Sequence, residues 1–190
     1  NQIPPDAFPF ETSVSLVYDS GEYEAAMDGA LEIVGYDEQR EKQADLRAEG
    51  RYLGIGMANF VESAGFSPSK ALGELGSHAG GWEAGVVRLH PSGKVAVSCG
   101  TSDQGQGHRT TLAQVAAEEL GVPLDDIDVI QGDTDEVSQG MGTYGSRSAT
   151  VGGAAVAESS GKVIDKARSI AAHQFEASEE DIEFEDGEFR

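Results

Sequence analysis

The apolar pattern of residues 84–99 constrains the fold of this chain more than any other feature. Apolar and polar side chains alternate over residues 84–90 and 94–99, as in strands that bury one face. Pro91, Ser92 and Gly93 separate the two runs and provide a short turn. The pattern predicts a β-hairpin. Cys99, at its end, has no basic neighbour in the sequence that would activate it, so we expect a packed or inert thiol.

Helical patterns lie on both sides of this hairpin. One helix is predicted before Gly35, and residues 109–120 repeat apolar side chains at helical spacing up to Gly121. A longer helix is predicted over about residues 149–175. Residues 127–130 resemble a strand, and Asp186 with Gly187 begins a last hairpin.

Two regions are harder to assign. Residues 52–62 carry apolar side chains on one parity and predict a strand. Residues 65–81 are rich in Gly and Ser without a sustained period, which predicts a functional or mobile loop. The element order, with no crossover expected after the hairpin, favours an α+β fold with mixed sheets and packed helices over a doubly wound α/β fold.

The charge balance makes two classes of binding partner unfavourable. Thirty-four acidic against 13 basic residues give a formal net charge of −21, which disfavours nucleic acid and anionic membrane surfaces. A salt-adapted, halophilic-type surface would explain this excess, and so would an ordinary acidic surface that only aids solubility.

The single cysteine and the lack of a long apolar run restrict which cofactors the chain can bind and in which compartment it is expected. One cysteine forms no internal disulfide and cannot ligate an iron–sulfur cluster alone, so any such cluster is expected on another chain. No apolar run approaches the roughly 18 residues of a membrane span, and no leader pattern is visible. We expect a cytoplasmic protein. The start at Asn1 and the stop at Arg190 are expected of an excised segment.

Two glycine-punctuated polar segments are the candidates for chemistry. Residues 100–108, GTSDQGQGH, follow a predicted strand, and residues 140–148, GMGTYGSRS, precede a predicted helix. In the first, Gln104 and Gln106 offer uncharged donors and acceptors beside a helix N-terminus, which favours an anionic or electron-rich ligand. In the second, Arg147 is a permanent cation among hydroxyl donors.

Other interpretations of these segments stay open on chemistry alone. Both are equally explained as strand-to-helix connections whose glycines make turns. The first lacks the third glycine of a dinucleotide fingerprint and the lysine of a P-loop. A metal site built from His108, Asp133 and Asp135 is disfavoured, because aspartates in loops usually make turns.

Several motifs together resemble one family. Residues 104–114 (QGQGHRTTLAQ), 131–134 (QGDT) and 142–148 (GTYGSRS) resemble the large subunits of aerobic carbon monoxide dehydrogenases, of the xanthine oxidase family, in order and spacing. Residues 54–62 and 82–98 also look like that family, so the resemblance covers nearly the whole chain.

The resemblance implies a cofactor, partners and site residues. The chain would be one partial molybdopterin-binding domain over residues 1–190: a lead-in and helices (1–50), strands and cofactor loops (51–148), and a long helix with a truncated hairpin (149–190). The implied cofactor is molybdopterin with molybdenum, in the cytosine dinucleotide form. The implied partners are the rest of the large subunit, separate iron–sulfur and FAD subunits and a small-molecule substrate. The residues matching cofactor-binding positions are Gln104, Gly105, Gln106, Gly145, Ser146, Arg147 and Ser148.

The resemblance also implies what this chain lacks. The family hydroxylates small molecules with oxygen from water, but its active-site loop lies upstream of the matching region and its catalytic glutamate far downstream. No catalytic or metal-ligating residue is therefore expected here, and we expect the isolated segment to be inactive. The alternative is a cofactor-free scaffold or assembly module of the same family.

Overall fold

A computed structural model describes residues 2–13, 16–62, 64–65, 69–74, 76–78 and 80–190. The chain divides into two compact units, residues 1–61 and residues 62–190, and each is described by itself. In the described part of the chain, no helix is both long and apolar enough to cross a membrane.

The first unit contains two short strands and two helices: β1 (Phe10–Glu11), β2 (Val17–Tyr18), α1 (Tyr23–Val34) and α2 (Tyr36–Ala48). The strands pair antiparallel. Gly35 separates the helices with a left-handed φ of 62°, a conformation that costs glycine little, so the predicted end of the first helix is confirmed. Neither helix contains a buried residue.

The strand predicted over residues 52–62 does not form. These residues adopt no regular structure, and Tyr52, Met57 and Phe60 are exposed. A strand needs a hydrogen-bonding neighbour, and none of the described strands pairs with this segment. The alternating pattern indicates which side chains share a face, but it cannot supply the second strand.

The second unit is built on a three-stranded mixed sheet. Its elements are α3 (Ser69–Glu74), β3 (Gly85–Leu89), β4 (Val95–Cys99), α4 (His108–Leu120), β5 (Ile127–Gln131), α5 (Ala154–Phe175), β6 (Phe184–Glu185) and β7 (Glu188–Phe189). β3 and β4 form the predicted hairpin, with Leu89 opposite Val95. The final hairpin, β6–β7, is also confirmed.

The connection after the hairpin differs from expectation. β5 pairs parallel to β4, so α4 is a crossover helix, and the expectation that no crossover follows the hairpin is wrong. Alternation defines the faces of a strand but not the direction in which it pairs, which explains the error. The α+β class with mixed sheets and packed helices is confirmed.

The core lies between one face of this sheet and helices α4 and α5. Val95, Val97 and Cys99 of β4 are almost fully buried and pack with side chains of β5, α4 and α5. Cys99 is a free, packed thiol, as expected. Both long helices are confirmed, although residues 148–153 form a wider π-helical turn before α5.

The segment predicted as a loop contains a helix. α3 occupies Ser69–Glu74, so the prediction that residues 65–81 lack regular structure is wrong for these six residues. A helix of fewer than two turns is too short to show a helical period. Residues 66–68, 75 and 79, which belong to the same predicted loop, lie outside the described residues.

Candidate functional site

The two glycine-rich segments lie against each other in the second unit. Loop A, residues 100–107, connects β4 to α4, and loop B, residues 140–147, leads into the π-helical turn and α5. The backbone N–H of Gly142 donates to the carbonyl oxygen of Gly100 at 3.2 Å. Segments about 40 residues apart in sequence therefore form one continuous surface.

Thr143 fastens the two loops to each other. Its Oγ1 accepts a hydrogen bond from the Ser102 backbone N–H at 3.0 Å and donates to the Ser102 carbonyl oxygen at 2.7 Å. The same oxygen lies 3.1 Å from Oγ of Ser148, which is buried. The role of Thr143 could not be predicted from the sequence, because a threonine in a loop carries no signal of a distant partner.

Glycine is required where the loop backbones cross. A Cβ atom at Gly140 would lie 2.4 Å from the carbonyl oxygen of Gly100, and one at Gly100 would lie 2.4 Å from the carbonyl oxygen of Gln139. Both distances are far inside van der Waals contact. The contact of loop A with loop B thus depends on the absence of side chains at both positions.

Loop A exposes its predicted cofactor-binding residues. Gln104, Gly105 and Gln106 all face solvent. The Gln104 backbone N–H donates to Oε1 of Gln106 at 2.5 Å, and Nε2 of Gln106 lies 3.4 Å from Oε1 of Gln104. The Gly105 N–H donates to Oδ1 of Asp103 at 2.9 Å. The loop is thus held by its own side chains, with both amide groups at the surface.

α4 begins directly after loop A without a side-chain cap. Gly107 precedes the helix with a φ of 81° and provides no side-chain acceptor for the first-turn N–H groups. His108 is buried, and its Nδ1 has no hydrogen-bond partner among the described residues. Unpaired donors and the positive end of the helix dipole therefore lie next to Gln106.

Arg147 is buried. Its guanidinium is fully enclosed and donates to Oε2 of Glu83 at 2.6 Å. It also donates to the carbonyl oxygens of Gly142 at 2.9 Å, Trp82 at 3.0 Å and Gly81 at 3.1 Å. The permanent cation indicated by the sequence is neutralised inside the protein, where it ties loop B to the segment before β3.

Glu83 is a second residue of the candidate site that no sequence pattern indicates. Besides Arg147, its carboxylate accepts hydrogen bonds from the backbone N–H groups of Met141, at 3.3 Å, and Ala84, at 3.2 Å. It lies 64 residues from Arg147 in the chain. No local pattern marks it, and only the packing of the sheet against loop B brings the two charges together.

The remaining predicted residues divide between surface and interior. Ser146 is exposed with a positive φ of 50°, and its Oγ donates to Oε1 of Glu62 at 2.5 Å. Gly145 is half-buried with a φ of 55°. The aspartates weighed as metal ligands make a turn, in which the Asp135 N–H donates to Oδ1 of Asp133 at 2.9 Å. Among the described residues, no three His, Cys, Asp or Glu side chains gather into a metal site.

Comparison with known proteins identifies the family. The model of the molybdopterin cofactor-binding domain matches residues 29–190. The chain belongs to this family. The match includes both loops and all seven residues predicted to bind the cofactor.

Relatives place the chain within the xanthine oxidase family. It is 44% identical, over its whole length, to the carbon monoxide dehydrogenase large chain of Afipia carboxidovorans, of which it covers 24%. It is 37% identical, over 95% of its length, to the nicotine 6-hydroxylase large subunit of Paenarthrobacter nicotinovorans, of which it covers 22%. A crystal structure of Cu,Mo-CO dehydrogenase matches 99% of this chain with a TM-score of 0.64 and 42% identity. The chain thus spans about a quarter of the length of these relatives.

Proposed function

We propose that this chain supplies part of the cradle for a molybdopterin cofactor in the large subunit of a carbon monoxide dehydrogenase-like molybdenum hydroxylase. The observation that carries the proposal is the joining of loops A and B into one surface. That surface exposes Gln104, Gln106 and Ser146. The buried ion pair of Arg147 and Glu83 holds loop B in place.

The residues present fit such a cofactor. Around Gly105, Gly107 and Gly142, a Cβ atom would meet nothing within 4 Å, so each backbone is open to close approach by a ligand. The glutamine amides offer donors and acceptors without charge. The uncapped start of α4 adds backbone N–H groups that favour an electron-rich or anionic group. We propose that Gln104, Gly105, Gln106, Gly145 and Ser146 contact the cofactor, whereas the side chains of Arg147 and Ser148 hold the loop that does so.

The cofactor, when bound, supplies the water-dependent, two-electron oxidation of a small substrate. This chain's own residues bind and orient it, and we propose that the catalytic groups lie in the remainder of the large subunit, so the segment alone is inactive. We further propose the cytosine dinucleotide form, iron–sulfur and FAD subunits as electron-accepting partners, and a cytoplasmic, salt-adapted enzyme. The names of the relatives indicate different substrates, so the similarity does not indicate which substrate this enzyme oxidises.

The rival function is a cofactor-free scaffold module of the same family. A scaffold module would have the same sheet and helices, but it would need neither glycines with space around them in the loops nor an uncapped N-terminus of α4. The intact loop A, with its exposed glutamines, favours the cradle.

The test is to express the complete gene product with its partner chains and to measure molybdenum by mass spectrometry and released pterin by fluorescence. Wild type is compared with Gln106→Ala and Gln106→Glu. The Glu variant keeps an acceptor for the Gln104 N–H but lacks the amide donors. Gln174→Ala, an exposed glutamine of α5 outside both loops, is the matched control.

We expect near-stoichiometric metal and pterin in wild type and in Gln174→Ala, and reduced amounts of both in the two Gln106 variants. Loss in the Ala variant alone would indicate that Gln106 only shapes loop A. A correctly assembled wild-type complex without molybdenum and pterin would refute the cradle and leave the scaffold.

A further inference from the structure

β3 presents a free backbone edge. It is one of the two outer strands of the three-stranded sheet, and among the described residues only β4 pairs with it. The His90 N–H donates to the carbonyl oxygen of Lys94, and the Gly100 N–H donates to that of Ala84. Because backbone groups alternate in direction along a strand, Val86 and Arg88 also point toward β4. Val87 and Leu89 then direct their N–H and carbonyl groups away from the sheet.

A groove runs beside this edge. It has a volume of about 570 Å³ and lies between β3 and α5, with Val163, Ala167 and Ile170 among its apolar lining. At one end, Oγ of Ser159 donates to the Gly85 carbonyl oxygen at 2.8 Å. The open stretch is therefore at Val87 and Leu89. A free edge above an apolar groove is the geometry to which an added strand binds.

The rim of the groove is basic, in contrast to the rest of the chain. Arg88, Lys162 and Lys166 line it, although the chain has only 13 basic residues and a net charge of −21. Lys162 has an exposed partner in Glu158 at 3.7 Å. In the part of the chain that the structure describes, no carboxylate pairs with Arg88 or Lys166. The surface therefore selects an acidic occupant.

We propose that an acidic strand of the same large-subunit polypeptide, from outside these 190 residues, adds to the free edge of β3. Its alternate apolar side chains enter the groove toward Val163 and Ala167, and its carboxylates meet the basic rim. This inference rests on the proposed function, under which most of the large subunit lies beyond this chain, as it does in the relatives. A second copy fits less well, because antiparallel pairing of two β3 strands brings their Arg88 residues together.

Hydrogen exchange at single-residue resolution in the complete large subunit, purified without its partner subunits, tests this. The amides of Arg88 and Val86 point toward β4 and serve as internal controls. We expect the Val87 and Leu89 amides to exchange within about tenfold of the Arg88 rate, as paired strand amides do. Exchange of Val87 and Leu89 at the rate of free amides, with Arg88 protected, would overturn the proposal.

A charge reversal identifies what provides the protection. Lys166→Glu should speed exchange at Val87 and Leu89 by more than about tenfold, whereas Lys42→Glu, the same change at an exposed site in α2, should leave both amides unchanged. Protection that depends on protein concentration would indicate a second copy, and protection only after partner subunits are added would indicate another chain. Either result overturns the proposal.

Molybdenum content is measured on the complex assembled from the same large subunit and its partner chains. Protected Val87 and Leu89 amides without bound cofactor would refute the cradle but support the added strand. Bound cofactor with unprotected amides would support the cradle but refute the added strand.

Discussion

Replacing Glu83 with glutamine should destabilise the second unit strongly. The side chains of Glu83 and Arg147 are both fully inaccessible to solvent, and their charged atoms are 2.6 Å apart. Glutamine keeps the size and an acceptor oxygen but removes the negative charge, so the Arg147 cation stays buried without compensation. Breaking a buried pair in this way costs about 3–5 kcal/mol.

That magnitude translates into a measurable shift. For a protein of this size, 1 kcal/mol lowers Tm by about 2–4 °C, so Glu83→Gln should lower it by roughly 6–20 °C. The matched control is Glu158→Gln, which removes the same charge from an exposed pair with Lys162 at 3.7 Å. It should change the free energy of unfolding by no more than about 0.5 kcal/mol.

The assay is urea unfolding of wild type and both variants, followed by circular dichroism in the same buffer and salt. The midpoints and slopes of the three curves give the differences in the free energy of unfolding. If Glu83→Gln lay within about 1 kcal/mol of wild type, as an exposed pair would, the buried ion pair beneath loop B would be refuted.

Three further predictions concern the loop contact, the surface charge and one ion pair. Gly140→Ala places a Cβ 2.4 Å from the Gly100 carbonyl oxygen and should lower the free energy of unfolding, measured in urea, by about 1–3 kcal/mol. The control is Gly161→Ala, inside α5, where a Cβ would meet nothing within 4 Å, so this change should be neutral or slightly stabilising. Equal effects of the two changes would contradict the close approach of the loops. Because the net charge is −21, the acidic side chains repel one another, and Tm should rise as KCl is increased from about 0.1 to 1 M and the screening length shortens from about 10 to 3 Å. A flat or falling Tm would argue against a salt-adapted surface. The hydrogen bond and charge of Asp126, 2.6 Å away, raise the pKa of Lys94. The stability from this pair is therefore fully present below the unfolded-state pKa of about 10.4 and is lost as pH rises through the higher folded-state pKa. Lys94→Met should remove that loss at pH values above about 10.4, and parallel pH profiles of the urea midpoint for wild type and variant would contradict it.

Local patterns predicted most elements of the second unit. The hairpin, α4, β5 and α5 lie close to where apolar spacing and glycine stops indicate, because these signals act between near neighbours in sequence. The predicted strand at residues 52–62 failed for the complementary reason, since a strand requires a partner that the described residues do not provide.

The candidate site shows the same division. The glycines and glutamines of loop A and the glycines and Ser146 of loop B were identifiable as candidates from sequence, because their residue types suit close backbone approach and uncharged recognition. The burial of Arg147 was not predictable, since an arginine beside glycines and serines looks like a free cation until Glu83, 64 residues away, is placed against it.

The sequence by itself determined helices α1, α4 and α5, the β3–β4 hairpin, the acidic surface and the two loops that resemble a molybdopterin-binding subunit. Only the tertiary structure decided that β5 pairs parallel to β4, that Gly100 and Gly140 bring the loops into contact, and that Arg147 supports loop B from within. The physical reason is that helix and turn preferences depend on residues a few positions apart. Strand direction, backbone crossing and the neutralisation of a buried charge depend on groups that meet only when the chain has packed.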